Sequence, residues 1–259
     1  FEIGQVPDDY YTFLRKEISL EELYNRWPEQ STKAREEALL AELGDGENAI
    51  SDADVDKKII DGLKDQKDWL LIGGPPCQAY SVVGRSRRQE KKLDEKKDVR
   101  VGLYKQYLRI LAIHNPAVFV MENVKGLLSA ETEENPVFQK ILDDLKDPVK
   151  AYLSENSKTR NSLSCPGYKV YSLAVKSEIS DELDNPVFKH KDYLIYAEKY
   201  GIPQTRHRII LLGIRKDIDI IPDVLEPNDE ISISKVLNGL PKLRSGLSKM
   251  KDKDDNWKN

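Results

Sequence analysis

The sequence predicts an α/β fold: a parallel-rich sheet with helices on both faces. Three observations predict it. Continuous apolar runs at 69–72, 117–121 and 208–214 are short and bounded by turn residues, as buried strands are. Between them, segments 104–113 and 137–145 carry apolar residues at helical spacing. The order strand, helix, strand then repeats along the chain, the pattern of sheets covered by crossover helices.

Each element has its own signal. Residues 8–43 read as helical, with Tyr10, Phe13, Leu14 and Ile18 in register. Ser19 with Glu22 three residues on resembles a capping box. A third helical piece from about 32 to 43 meets the turn Gly44-Asp45-Gly46, and 55–63 is a short amphipathic helix. The strand 69–72 runs into Gly73-Gly74-Pro75-Pro76. Helix 104–113 is stopped by His114-Asn115-Pro116, and strand 117–121 ends at Glu122. Helix 137–145 stops before Pro148, and 168–175 alternates as a strand does. Segment 191–199 starts either a helix or a strand, and 208–214 is a buried strand closing on Arg215. Residues 181–186 form a polar insertion, and the tail from Lys242 is charged. Three parts follow: a helical stretch 1–65, an α/β core 66–221, and a terminal part 222–259.

Composition narrows the class. Hydrophobic residues make up 39% and charged residues 33%, which suits a protein with a charged surface. No run reaches the roughly 18 apolar residues of a membrane helix, and the first residues lack the basic start of a secretory signal. Cys77 and Cys165 are expected as free thiols in a reducing compartment. Scattered histidines give no metal-ligand spacing. The net charge of -4 excludes a globally basic nucleic-acid binder. Between Gly84 and Arg100, however, eight basic side chains stand against four acidic ones, and phosphate affinity follows such local clusters.

Three places carry candidate chemistry. Cys77 follows a strand that stops on two glycines and two prolines. Because proline forces the backbone out of the sheet, a thiol is presented there at the sheet edge. A buried core thiol is the alternative. Glu122 closes a second apolar strand, where a partly desolvated carboxyl can hold or pass a proton; a capping or salt-bridged carboxylate is the alternative. Both residues are expected just past strand ends, on one edge of the sheet, where ligands bind in such folds. Arg206 and Arg208 alternate with Thr205 and His207, so the two guanidiniums and Gln204 are expected on one face; an exposed charged strand is the alternative.

In order along the chain, Pro76-Cys77-Gln78 with Ser81, Glu122-Asn123-Val124 and Gln204-Thr205-Arg206-His207-Arg208 resemble the motifs of the cytosine C5 DNA methyltransferases. Asp98-Val99-Arg100, Gly167-Tyr168-Lys169-Val170 and Tyr200-Gly201-Ile202-Pro203 extend the resemblance, which covers 69–240 well and the first 60 residues weakly. It implies a Rossmann-like methyltransferase sheet with S-adenosyl-L-methionine as methyl donor. It implies Cys77 as the nucleophile toward C6 of cytosine, Glu122 as the group on N3, and Arg206 and Arg208 as contacts to the base. Pro75, Asp98 and Leu103 fall at positions lining the cofactor pocket. Gln78, Ser81, Arg85, Arg87 and Gln204 fall at positions facing nucleic acid. The substrate implied is double-stranded DNA with the target cytosine rotated out of the stack, in a bacterial restriction–modification system, hence in the cytoplasm near the nucleoid.

The chain also departs from that pattern. Its G-x-G, Gly44-Asp45-Gly46, follows a helical stretch and not a strand, so it does not match the family's cofactor loop. The acidic strand end for the ribose is not recognisable either, unless Phe1-Glu2-Ile3 is its remnant. The expectation is a sheet incomplete at both ends, in a fragment of a longer enzyme or one half of a split enzyme completed by a second polypeptide. Residues 222–259 would begin the target-recognition region. An RNA-directed relative acting on tRNA, and a non-catalytic nucleic-acid-binding protein on the same fold, are the competing functions.

Overall fold

A computed structural model describes residues 6–44, 46–76, 99–129, 137–155 and 163–239. The chain divides into two compact units, Phe1–Val55 and Asp56–Asn259.

The first unit is helical. It holds α1 (Asp8–Leu14), α2 (Leu20–Arg26) and α3 (Pro28–Glu37), and none of the three contains a fully buried residue. The Ser19 hydroxyl caps α2 by accepting from the Glu22 amide at 3.0 Å. The reciprocal half of a capping box is replaced, since the Glu22 carboxylate pairs with Arg26 at 2.6 Å. Arg26 also reaches Asp9 at 2.6 Å, and so ties α2 to α1. The third helix starts at Pro28 and ends at Glu37, several residues earlier than the apolar spacing suggests. Proline at the first helical position needs no N–H partner and sets the helical φ. Helix α4 (Asp52–Leu63) likewise starts before residue 55, because the Ser51 hydroxyl accepts from the Asp54 amide at 3.2 Å.

The second unit is built on a five-stranded sheet: β1 (Leu70–Gly73), β2 (Val118–Val124), β3 (Tyr168–Tyr171), β4 (Leu194–Tyr196) and β5 (His207–Arg215). The order is β1-β2-β5-β3, with β4 also paired to β5. Among the described strands, β1 and β2 run parallel, and β5 is antiparallel to β2, β3 and β4. The sheet is therefore mixed, not parallel-rich. β2, which carries Glu122, pairs in parallel with β1 and antiparallel with β5, which carries Arg208.

Helix α5 (Val99–His114), the short α6 (Gly126–Ser129), α7 (Val137–Lys146) and α8 (Pro148–Glu155) complete the unit, with α9 (Ile233–Leu237) outside the core. Pro148 thus opens α8 as well as ending α7. On the covered face, Phe119, Met121, Ile209, Leu211, Tyr168 and Val170 are fully buried against Tyr107, Leu111, Leu127, Phe138 and Ile141. The Phe119 ring lies edge-on to Tyr168, with centroids 5.1 Å apart. It occupies the space above Gly213, where a Cβ would stand 2.0 Å from the ring. On the opposite face, Leu70 and Ile72 are 48% and 70% exposed. Strand 168–175 stops at Tyr171, and segment 191–199 resolves into a short strand between two 3-10 turns.

A buried ion cluster joins α4 to α5. Arg109, 4% exposed, grips the Asp56 carboxylate at 2.8 and 3.0 Å, and His114 Nε2 lies 2.7 Å from the same group. Burial opposes ionisation of Asp56, but the hydrogen bonds from Arg109 and His114 outweigh it and hold its pKa below the usual 3.8.

Candidate active site

The site begins where β1 ends. The parallel register sets Gly73 beside Met121, which brings Gly74 next to Glu122. Each glycine has a separate steric reason. A Cβ on Gly73 would stand 2.7 Å from the Tyr107 ring, and one on Gly74 would stand 3.2 Å from Glu122 Oε2. The Tyr107 hydroxyl donates to the Val120 carbonyl at 3.3 Å, and burial pushes the ionisation of that phenol far up. The backbone then leaves the sheet through Pro75, which is buried, and Pro76.

Glu122 is inside β2 and not beyond its end. The ladder to β5 continues through Val124, which extends the strand past the apolar run. Glu122 pairs with Ile210, so Arg208, two residues away on β5, is its diagonal neighbour on the same face. Arg206 lies a further two residues along. The expected alternation holds for the two arginines. Arg208 Nε stands 2.7 Å from Glu122 Oε1, and Arg206 Nη2 stands 3.8 Å from it. His207 turns to the other side, where it meets Glu198 at 2.9 Å and the Tyr196 ring at 4.5 Å between centroids. Hydrogen bonding from its own backbone, and then from His207, keeps the Glu198 carboxyl below the usual carboxylate range.

The Arg208–Glu122 contact is short but misaligned. Arg208 Nε has no hydrogen-bond acceptor although it is buried, while Nη1 donates to the His207 carbonyl at 2.8 Å. A buried guanidinium donor with no aligned acceptor is costly unless a ligand takes it. Glu122 keeps 41% of its side-chain surface exposed, so the acid is reachable from solvent on the open face.

The other sequence-derived candidates fall as follows. Gln204 is exposed in the tight turn that enters β5, where its carbonyl accepts from the Arg206 amide at 2.8 Å. Leu103 is half-buried on α5. Cys77, Gln78, Ser81, Arg85, Arg87 and Asp98 lie outside the described residues. Cys165 is a free thiol whose pKa is raised by burial, away from this edge of the sheet.

One residue of the motif carried no assigned role and turns out to tie the site together. Asn123, 4% exposed, donates Nδ2 to the Pro75 carbonyl at 3.0 Å, and its Oδ1 accepts from the Val124 amide at 2.9 Å. The signal was present in the sequence: asparagine is depleted in strands, and here it sits inside an apolar one.

None of the described helices is long and apolar enough to cross a membrane, and the described residues hold no cluster of side chains suited to a metal ion.

Comparison with known proteins gives this geometry a family. Over 251 residues, 93% of this chain and 48% of the relative, the sequence is 30% identical to the type II methyltransferase M.Bpa9945I of Bacillus paralicheniformis. It is 30% identical over 175 residues to the DNA (cytosine-5-)-methyltransferase M.ApeKI of Aeropyrum pernix, covering 65% of this chain and 32% of that one. It is 34% identical over 154 residues to the type II methyltransferase M.BbvI of Brevibacillus brevis, covering 60% and 29%. The chain therefore spans half or less of the length of these curated relatives. A solved prophage-encoded protein from E. coli, described as a DNA modification methyltransferase, overlays with a TM-score of 0.42 at 21% identity, covering 77% of this chain and 44% of that one. The family model for C-5 cytosine-specific DNA methylases matches residues 46–148 and 170–258, a span that holds Glu122, Asn123, Arg206 and Arg208, and the chain belongs to that family.

Proposed function

We propose that this chain supplies the catalytic half of a DNA cytosine C5 methyltransferase. The observation that carries the reading is the meeting of Glu122, Arg206 and Arg208 on one open face, beside a Pro75 carbonyl that is held to β2 two residues before Cys77. Two residues span at most about 7 Å. Cys77 follows Pro75 by two residues in the sequence, which supports this reading.

In this reading Cys77 attacks as the thiolate. A bond forms from sulfur to C6 of cytosine, and the C5=C6 electron pair moves to the C4–C5 bond. The C4=N3 pair moves onto N3, which takes the Glu122 proton. Charge is thus neutralised where it develops, and C5 is left electron-rich. Arg206 and Arg208 orient the base through its O2 carbonyl. Departure of the C5 proton, with release of the sulfur, later restores the aromatic ring. Cytosine in a duplex offers neither face to such a site, so the base must be flipped out. Gln78, Ser81, Arg85, Arg87 and Gln204 are proposed as its nucleic-acid contacts.

The family implies S-adenosyl-L-methionine as the methyl donor. When bound, it supplies the methyl group that C5 accepts. Pro75 and Leu103, with Asp98, would line only part of its pocket. The open apolar face beside β1 supports the view that further polypeptide completes the pocket, either the rest of a longer chain or a second subunit. Residues 222–259 are proposed as the approach to target recognition. The reaction belongs where bacterial DNA lies, in the cytoplasm at the nucleoid.

The test is methyl transfer by a full-length protein containing this chain, assayed on duplex DNA and on tRNA. Transfer to DNA that is lost in Cys77→Ser supports the proposal; transfer to tRNA alone supports the RNA-directed alternative. The isolated chain is expected to bind S-adenosyl-L-methionine weakly or not at all, and calorimetry giving micromolar binding contradicts that part.

A further inference from the structure

We propose that His207 is a positioning residue: its ring, held by Glu198 behind the sheet, fixes the peptide that orients the Arg208 guanidinium on Glu122. The inference rests on the reading of Glu122 and Arg208 given above.

The entry to β5 needs an anchor because its ladder is one-sided there. The pairing of β5 with β2 runs from Ile214 to Arg208, opposite Val124, and the described pairs stop at that point. His207 and Arg206 are therefore held from the β4 side. Tyr196 pairs with His207 across the ladder, and the Ala197 amide donates to the Arg206 carbonyl at 3.2 Å. Just upstream comes the turn in which Gly201 takes φ +75°. A turn before this peptide and a ladder on one side of it leave side chains to complete its hold.

His207 supplies that hold. Its Nε2 stands 2.9 Å from Glu198 Oε1, and its ring meets the Tyr196 ring edge-on with centroids 4.5 Å apart. Lys199 Nζ lies 4.9 Å from the centre of the Tyr196 ring and adds a cation to the same cluster. The His207 and Glu198 side chains keep only 24% and 25% of their surface exposed. The second Glu198 oxygen, Oε2, is buried with no hydrogen-bond partner among the described residues, so the carboxylate leans on the imidazole. An exposed ion pair fixes little; this one is three-quarters buried and backed by an aromatic ring.

The backbone carries the anchoring to the chemistry. The His207 carbonyl accepts from Arg208 Nη1 at 2.8 Å, and Arg208 Nε stands 2.7 Å from Glu122 Oε1. Successive residues of a strand project to opposite faces, so the imidazole works from the side away from Glu122. Glu198, His207, Arg208 and Glu122 thus form an unbroken series of contacts through the sheet. Without the ring, the peptide loses its rear anchor and the guanidinium shifts from the acid. Groups misplaced by about 1 Å lose rate on the order of a hundredfold.

The experiment measures methyl transfer by the full-length protein containing this chain, with duplex DNA and S-adenosyl-L-methionine. His207→Ala is expected to lower kcat about tenfold through misplacement of Arg208. The KM for the duplex should change less than about threefold, because phosphate contacts dominate duplex affinity. His207→Gln, whose amide can still donate to Glu198, should recover most of the rate. A double-mutant cycle separates positioning from a merely structural role. With Arg208→Ala already present, His207→Ala should lower kcat less than about twofold further, because the route through Arg208 is gone. Glu198→Ala should show the same loss and the same cancellation, and it carries the test if His207→Ala does not fold. A kcat for His207→Ala within about twofold of wild type overturns the inference. So does a loss that persists in full beside Arg208→Ala. If Arg208→Ala itself leaves kcat unchanged, or the wild-type protein transfers no methyl group to DNA, the reading beneath fails and the inference with it.

Discussion

On one face of the sheet Phe119, Met121, Ile209 and Leu211 are sealed from solvent, while on the other Leu70 and Ile72 are 48% and 70% exposed. Both faces are apolar in sequence, because β1 and β2 are continuous hydrophobic runs of the kind found in strands covered on both sides. The difference between the faces is therefore one of cover, not of composition. Helices α5 and α7 close the first face. Beyond β1, the second face carries Glu122, 41% exposed, with Arg206 and Arg208 beside it.

Substitutions on the two faces should separate stability from chemistry. The largest effect is expected on the sealed face: Phe119→Ala removes a fully buried ring and should cost about 3–5 kcal/mol in denaturant unfolding. Next comes Glu122→Gln on the open face. It should slow adduct formation about a hundredfold, or about 2.7 kcal/mol, with little change in Tm. Asp56→Ala leaves the Arg109 guanidinium without its carboxylate partner and should cost about 2 kcal/mol, reduced by the partial exposure of Asp56. The pH dependence has a definite sign. The folded pKa of Asp56 lies below its unfolded value of 3.8, so its contribution is complete above that pH. The contribution is lost as pH falls through the folded value, and acid unfolding of Asp56→Ala should be correspondingly less steep. The smallest effect is expected for Ile72→Ser, within about 0.5 kcal/mol in this chain. A larger loss would show that the open face is already covered in solution.

The sequence carried most of the elements and the nearness of Arg206 and Arg208 to each other, for physical reasons that can be traced. Strand alternation was enough to put Arg206 and Arg208 on one side and His207 on the other, because period two is a local property. The glycine and proline run was legible as a strand exit for the same reason. Strand direction was not. Nothing in 208–214 tells whether β5 runs with or against β2, so a repeating strand–helix pattern overstated the parallel content. The end of β2 was also misjudged. Glu122 and Asn123 are polar, and only pairing with Ile210 and Ile209 keeps them in the ladder. Asn123 stayed hidden because its partner, the Pro75 carbonyl, is 48 residues away in the chain.

The central claim is that a thiol, a carboxyl and two guanidiniums from distant parts of the chain converge on one cytosine. Its most direct test is peptide mapping of the full-length protein after reaction with a 5-fluorocytosine duplex in the presence of methyl donor. The account predicts a single modified peptide carrying the base on Cys77, absent in Cys77→Ser and formed far more slowly in Glu122→Gln. A base attached elsewhere, or an adduct rate on Cys77 indifferent to Glu122, contradicts it.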